Sequence, residues 1–320
     1  GGNRMQEAGV KLLAHAADIA VVGVSEVFSK TAVLLRTISR MKESMDRLKP
    51  NLAILIDFPD FNLNIAARAA RKRGIRVFYY ISPQVWAWRE GRVEQIKKLV
   101  NEMAVILPFE VDFYAKRGFD VHWVGHPLLD IVKTPFTAQE ARAHFGLSES
   151  KTTIGLLPGS RTSEISKLLP EMIQGAQIIS RKIPETQYIL PLADTLEEKT
   201  VAGFLQGSGL NIQIVAGRTY DVLACCDLAI VTSGTATLET GLMIIRQQHI
   251  GLVNILAGKT VAPELIQRDA GGPRIAFEAL AILQNREKRQ QIIRDLGDIR
   301  AKLGKPGAAG RAAQIACNML

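Results

Sequence analysis

The stretch Val231-Thr-Ser-Gly-Thr-Ala-Thr-Leu-Glu239 gathers hydroxyls, a glycine and a carboxylate at one place in the chain. It follows an apolar run at 228–231 that predicts a buried parallel strand, and it leads into a predicted helix through Leu238. A strand, a tight turn and a helix set free backbone N–H groups and the positive end of a helix dipole at one point. That point suits phosphate. Gly234 lets the backbone come close to a phosphate, the Ser233 and Thr235 hydroxyls donate to it, and Glu239, about one turn into the helix, accepts from ribose hydroxyls. Taken alone, the stretch also reads as a plain αβ junction capped by Ser or Thr. A second turn of this kind, Pro158-Gly-Ser-Arg161, follows the strand predicted at 153–157 and adds a guanidinium whose fork matches phosphate oxygens. Two such turns at one sheet edge favour a nucleotide diphosphate over two capped junctions.

A second group of residues that could do chemistry lies in the first half. Predicted strands at 52–56, 76–81 and 103–107 end in Asp57-Phe-Pro-Asp60-Phe-Asn62, Ser82-Pro-Gln-Val-Trp86-Ala-Trp88-Arg89 and Pro108-Phe-Glu110. The strand–helix rhythm implies a parallel sheet with right-handed crossovers, and ligands of such sheets bind beyond the carboxyl ends of the strands. Asp57, Asp60, Asn62, Ser82, Arg89 and Glu110 all fall at that edge. Trp86 and Trp88 offer an apolar or sugar-stacking wall there, with core packing as the other reading. Asp60 competes with Asp57 for the helix cap, which leaves Asp57 freer to act as a base.

The elements that must position these groups repeat in the second half. Strands are predicted at 153–157, 187–191, 212–215 and 228–231, with helices at 164–179, 220–226, 285–303 and 308–319. At 320 residues, two domains are expected: 1–135, 136–295, and a helical tail at 296–320 that packs back or is exchanged in a dimer. Hydrophobic residues make up 47% and charged residues 22%, a globular balance. The net charge of +9 points to phosphorylated ligands or an anionic membrane surface. With aromatics at 6% and no finger or RNA-binding signature, nucleic acid is not the expected partner. Cys225, Cys226 and Cys317 have no disulfide or metal-ligand spacing, which fits a reducing cytoplasm. No apolar run approaches the ~18 residues of a spanning helix. The segment 21–49 combines Val27, Phe28, Leu34 and Leu35 with an excess of Lys and Arg, so it reads either as a face for an anionic bilayer or as a helix on its own sheet with a solvated basic side. The opening Gly pair leads into a short helix without a preceding strand, so an upstream unit is expected. An intact mass equal to the 35.1 kDa of this sequence would remove that expectation.

These segments resemble the lipid-A-disaccharide synthase family, inverting glycosyltransferases of the GT-B fold. The resemblance rests on Gly-Asn-Arg-Met-Gln at 2–6, Asp57-Phe-Pro-Asp60-Phe-Asn62, Tyr80-Ile-Ser-Pro-Gln-Val-Trp-Ala-Trp-Arg89, Pro108-Phe-Glu110 and Val124-Gly-His-Pro-Leu128. In the second half it rests on Leu156-Leu-Pro-Gly-Ser-Arg161 with Glu164, Ser233-Gly-Thr-Ala-Thr-Leu-Glu239, Asn254-Ile-Leu-Ala-Gly258 and Pro263-Glu-Leu-Ile-Gln267. The tryptophan block is the most specific. Two departures stand out. The family's opening strand and Gly-Glu-Ala/Thr-Ser-Gly-Asp loop are not in this sequence, and a strand and basic aromatic helix after the Leu-Glu block are reduced here to 243–249.

The resemblance implies an α/β chain with two Rossmann-like domains whose parallel sheets face across a cleft. It implies a donor, UDP-2,3-diacylglucosamine, an acceptor, 2,3-diacylglucosamine 1-phosphate (lipid X), and a β-1,6-linked disaccharide 1-phosphate made with release of UDP. No cofactor or metal is expected. The enzyme would work in the cytoplasm, peripherally on the inner membrane, as a homodimer. Inversion needs one displacement, with a base taking the proton of the acceptor 6-hydroxyl. Asp57 is the first candidate and Asp60 the second. Arg161 and Ser160, with backbone N–H groups near Ser233, Gly234, Thr235 and Ala236, would meet the diphosphate. Glu239 would hold the ribose, Asn254 and Gln267 would line the donor site, and Asn62, Ser82, Trp86, Arg89 and Glu110 would meet the acceptor. The rival readings are another GT-B enzyme of UDP-sugars, either a transferase or a 2-epimerase, and a non-catalytic nucleotide-binding protein of the membrane surface.

Overall fold

The computed structural model describes residues 1–15, 27–88, 90–232 and 251–320. Arg89, Ser233, Gly234, Thr235, Ala236, Glu239 and the segment 243–249 lie outside the described residues. The chain divides into two compact units, Gly1–Pro127 with Gly307–Leu320, and Leu128–Pro306.

The first unit carries a parallel sheet of β1 (Leu52–Ile56), β2 (Arg76–Tyr80), β3 (Glu102–Val105) and β4 (His122–Trp123) in the order β1-β2-β3-β4. Strand side chains alternate between faces, yet Val77, Phe78, Tyr79 and Tyr80 are all buried. A strand is apolar throughout when both faces of its sheet are covered. On one face Val77, Tyr79, Met103 and Val105 pack with Leu63, Ala66, Ala70 and Ile96. On the other, Phe78, Tyr80, Ala104 and Val124 pack with Ala308, Ala312, Ala316 and Met319. The last helix, Ala308–Asn318, thus presents a stripe of alanines four apart, one helical face, which lets it sit close to the sheet. Arg311 fixes it by donating twice to the Val124 carbonyl, at 2.9 and 2.6 Å, and Arg76 donates to the Met319 carbonyl.

The helix Val27–Leu48 packs Met41 and Met45 against the first core cluster. Leu34 is half-buried, while Leu35, Arg36, Arg40, Lys42 and Arg47 are exposed. After β1 the chain coils as Pro59–Phe61, continues as a π-helix over Asn62–Ala67, and returns to an α-helix at Arg68–Arg71. The wider winding has no signature in the sequence, whose apolar spacing predicts a plain helix.

In the second unit β5 (Thr152–Leu157), β6 (Thr186–Leu192), β7 (Ile212–Ala216) and β8 (Leu228–Val231) form a parallel sheet in the order β7-β6-β5-β8. The chain moves outward from β5 to β7 and then returns to pair β8 with β5, Leu157 opposite Val231. The order therefore reverses between β5 and β8. Ile154, Leu156, Tyr188 and Leu190 form its core with the helices Thr162–Lys182 and Gly272–Leu283. Those helices approach closely at Gly175, where a Cβ would come within 3.2 Å of the Gly272 carbonyl oxygen.

Candidate active site

In the first unit, the edge expected to carry chemistry centres on Asp57. Asp57 and Phe58 both adopt left-handed backbone, at φ +47° and +46°. Each such non-glycine residue costs about 1 kcal/mol or more, so the surroundings must hold it. They do so through hydrogen bonds. The Asp57 N–H donates to the Tyr80 carbonyl at 2.9 Å. The Asp57 carbonyl accepts from the Tyr79 hydroxyl at 2.7 Å and from Asn62 Nδ2 at 2.7 Å. Asn62 Nδ2 also reaches the Ile56 carbonyl at 3.1 Å. The outcome is an exposed carboxylate on a fixed, strained turn at the end of a strand. Asp60, also exposed, takes a different role and pairs with Arg92 at 2.7 Å.

The residues expected to touch the acceptor do something else. Ser82 is 6% exposed, Trp86 9% and Glu110 1%, so none presents its side chain to a ligand. Asn62 is half-buried and braces Asp57. Ser82 Oγ bonds the Tyr114 hydroxyl at 2.7 Å and donates to the Pro83 carbonyl at 2.9 Å. Trp86 packs edge-on against Phe109, with ring centres 4.9 Å apart. Glu110 Oε2 accepts from the Leu107 N–H at 3.0 Å. Polar type at a strand end marks these positions in the sequence, but type does not report burial.

Burial pushes the Glu110 carboxyl up to about 7, against hydrogen bonds from the Leu107 and Ile106 backbone and the nearby Trp86 and Ser82 groups, which favour its charged form. The Trp86 indole nitrogen is buried without a partner in good hydrogen-bond geometry. Because the folded pKa lies above the ordinary 4.5, the contribution of Glu110 to stability is fully present below that value and is lost as pH rises toward 7. Burial also raises the Tyr79 and Tyr114 hydroxyls, so both stay protonated.

In the second unit the Pro158-Gly159-Ser160-Arg161 turn follows β5, and Thr232 follows β8, its N–H donating to the Leu157 carbonyl at 2.9 Å. Both therefore stand at the point where the strand order reverses, the place where open α/β sheets bind ligands. A cavity of about 640 Å³ opens there, with Arg161, Ser163, Lys167, Thr232 and Gln267 among its lining. The Thr232 hydroxyl is buried and has no hydrogen-bond partner among the described residues. Gln267, exposed on the cavity, also has a left-handed backbone, at φ +52°.

The turn after β5 does not offer the free N–H groups its sequence implies. Glu164 Oε2 accepts from Ser160 N–H at 2.9 Å and Arg161 N–H at 3.3 Å. The carboxylate thus occupies the place at the helix start that an anion would otherwise take. Gly159 makes this possible: its φ is +108°, and a Cβ there would stand 2.2 Å from Glu164 Oε2. What remains for a phosphate is the Arg161 side chain, 63% exposed and 3.3 Å from Glu164 Oε1. Ser160 is exposed but is not part of the cavity lining.

Asn254 departs from expectation as well. It is 1% exposed and lies outside the cavity lining. Its Oδ1 accepts from Val261 and Ala262 N–H at 2.7 and 3.0 Å, and its Nδ2 donates to the Ala262 carbonyl and Glu264 Oε1 at 2.7 and 2.6 Å. It therefore folds the 254–264 loop rather than meeting a ligand. Asn254→Ala should destabilise the protein by about 3 kcal/mol, since buried backbone N–H groups would lose their acceptor. A urea midpoint within error of the parent protein would refute that role.

Comparison with known proteins places this geometry. The family described as lipid-A-disaccharide synthetase matches residues 1–244. A lipid-A-disaccharide synthase of Syntrophus aciditrophicus is 50% identical, over 100% of this chain and 89% of its own. One of Geobacter sulfurreducens is 43% identical, over 100% and 88%. Among solved structures, the S. aureus MnaA–UDP co-structure aligns with a TM-score of 0.63 at 12% identity, covering 99% of this chain and 86% of that one. UDP-GlcNAc 2-epimerase from Neisseria meningitidis, bound to UDP-GlcNAc, aligns at 0.56 and 12%, covering 89% and 81%. At such identities the structures speak to fold alone, and the fold is GT-B-like, with two parallel-sheet α/β domains.

Proposed function

The chain belongs to the lipid-A-disaccharide synthase family, and from that premise we propose that Asp57 is the general base and Arg161 the cation that receives the leaving diphosphate. The reaction is glycosyl transfer. UDP-2,3-diacylglucosamine and 2,3-diacylglucosamine 1-phosphate give the β-1,6-linked disaccharide 1-phosphate and UDP. The acceptor 6-hydroxyl attacks the anomeric carbon of the donor, a carbon–oxygen bond forms on one face, and the bond to the diphosphate breaks on the other. The hydroxyl proton passes to the base, and UDP carries away the electron pair of the broken bond.

The observation that supports Asp57 is its setting: an exposed carboxylate on a left-handed turn fixed by Tyr79, Tyr80 and Asn62. A base must be held in place to act within one displacement. Asp60 is the weaker candidate, because Arg92 already pairs with it. The donor reading is supported by the cavity at the β5–β8 reversal, where Arg161, Thr232 and Gln267 converge. We assign the diphosphate to Arg161 and the unpaired Thr232 hydroxyl. Charge that grows on a leaving diphosphate is best met by such preplaced donors.

Among the described residues no helix is long and apolar enough to cross a membrane. We place the membrane contact on the helix Val27–Leu48, where exposed Leu35 adjoins Arg36 and Arg40, because both substrates carry acyl chains and an anionic surface would attract such a face. Val27 and Phe28 begin that helix. A homodimer on the inner-membrane face is the assembly we propose. Incubation with both diacyl substrates in detergent, without added metal, followed by mass spectrometry, tests the reaction. The disaccharide 1-phosphate is the expected product. UDP bound with no product formed would leave a nucleotide-binding protein without transferase activity.

A further inference from the structure

Glu110 is a buried carboxylate that touches no open surface, yet it sits at the carboxyl edge that carries Asp57. It begins the helix Phe109–Ala115 and accepts from the Leu107 N–H just past β3. Its other oxygen neighbours come from the segment after β2: the Ser82 hydroxyl and the Trp86 indole N–H both lie near enough to stabilise its charge. Ser82 in turn bonds Tyr114 at 2.7 Å. Tyr114 lies close enough to Tyr79 for the charge of one to act on the other, and the Tyr79 hydroxyl donates at 2.7 Å to the Asp57 carbonyl. Tyr79 and Tyr114 are both 0% exposed. One buried polar line thus runs from Glu110 through Ser82, Tyr114 and Tyr79 to the turn that holds the proposed base.

We propose that Glu110 is a positioning residue for glycosyl transfer, which locks the segments after β2 and β3 together and thereby sets the Tyr79–Asp57 contact. The proposal rests on the reading of Asp57 as base. Buried polar networks of this kind fix one arrangement when every member is satisfied, and loosen when one is not. The carboxylate form of Glu110 has donors aimed at it, whereas the protonated form needs an acceptor in place of one of them. The brace is therefore complete when Glu110 is charged and weakens as pH falls through about 7. The titratable groups beside this line are Tyr114 on the same helix, with Arg117 acting on it, and Tyr79 on β2, which Asp57, Asp60 and Arg92 also face. The Ser82-Pro83-Gln84-Val85-Trp86 segment and the Ile106-Leu107 strand end face it with uncharged side chains.

The test compares kcat against pH for the parent protein, Glu110→Gln and Ser82→Ala, with UDP affinity measured by calorimetry as a reading of the second unit. Glu110→Gln is expected to lower kcat by about 10- to 100-fold, the cost of a small misplacement. It should also remove an acid limb near pH 7 and leave UDP affinity unchanged. Loss of kcat with the acid limb intact would assign Glu110 to packing alone and overturn the proposal, as would parent-like kcat. If Glu110→Gln does not fold, Ser82→Ala decides: a loss of kcat with the acid limb displaced supports the line, and parent-like behaviour breaks it. Asp57→Asn run alongside separates the two claims. Full activity there would remove the base assignment, while a Glu110 result at odds with expectation beside an inactive Asp57→Asn would remove only the brace.

Discussion

Asp57→Asn is expected to lower turnover by about 10²- to 10⁴-fold, the range that general-base catalysis contributes, while UDP affinity stays within error. The substitution is well matched to the turn. Asparagine has the shape of aspartate and tolerates left-handed backbone better than most residues. The φ of +47° at position 57 and the contacts of its backbone N–H and carbonyl can therefore survive. What is lost is the capacity to accept a proton. Asp57→Ala would be a poorer test, because alanine at that φ adds strain to the loss of the carboxylate. The measurement is kcat with both diacyl substrates, set beside UDP binding by calorimetry. Parent-like turnover in Asp57→Asn would move the base elsewhere, with Asp60, now paired to Arg92, as the next residue to replace.

The legibility of this edge in the sequence has a physical pattern. The strands were readable because apolar runs such as 52–56 and 152–157 stop abruptly at polar residues, and a parallel sheet covered on both faces demands that contrast. The turn after β5 was readable for the same reason, and its glycine is required by geometry. The division of labour among polar residues was not readable. Ser82, Glu110 and Asn254 look like ligand contacts because polar side chains at strand ends usually face solvent or substrate, but here each closes hydrogen bonds inside the protein. Whether a carboxylate meets a ligand or the N–H groups of its own chain depends on tertiary distances that residue type does not encode. Glu164 is the sharpest case, since its spacing of three from Arg161 is that of an ordinary cap, and that cap takes the place an anion would otherwise occupy. The left-handed pair Asp57 and Phe58 was hidden because neither is a glycine.

That cap also shapes the second large effect. With the Ser160 and Arg161 N–H groups held by Glu164, the turn can stabilise a departing diphosphate only through side chains, and Arg161 supplies the charge. Arg161→Ala is expected to lower kcat by about 10²- to 10³-fold, as removal of one preplaced donor to a developing anion does. It should cost little stability, since the side chain is 63% exposed. Arg161→Lys separates charge from geometry. Lysine keeps a cation but loses the planar fork that engages two phosphate oxygens, so it should fall between the parent and the alanine variant. The same ordering is expected in UDP affinity, with smaller steps, because the diphosphate gains charge as the sugar leaves and the interaction tightens in the transition state. Equal losses in UDP affinity and kcat/KM would mean that Arg161 binds ground state and transition state alike. Turnover unaffected by Arg161→Ala would place the diphosphate away from the β5 turn and leave Thr232 and Lys167 as the cavity's remaining donors.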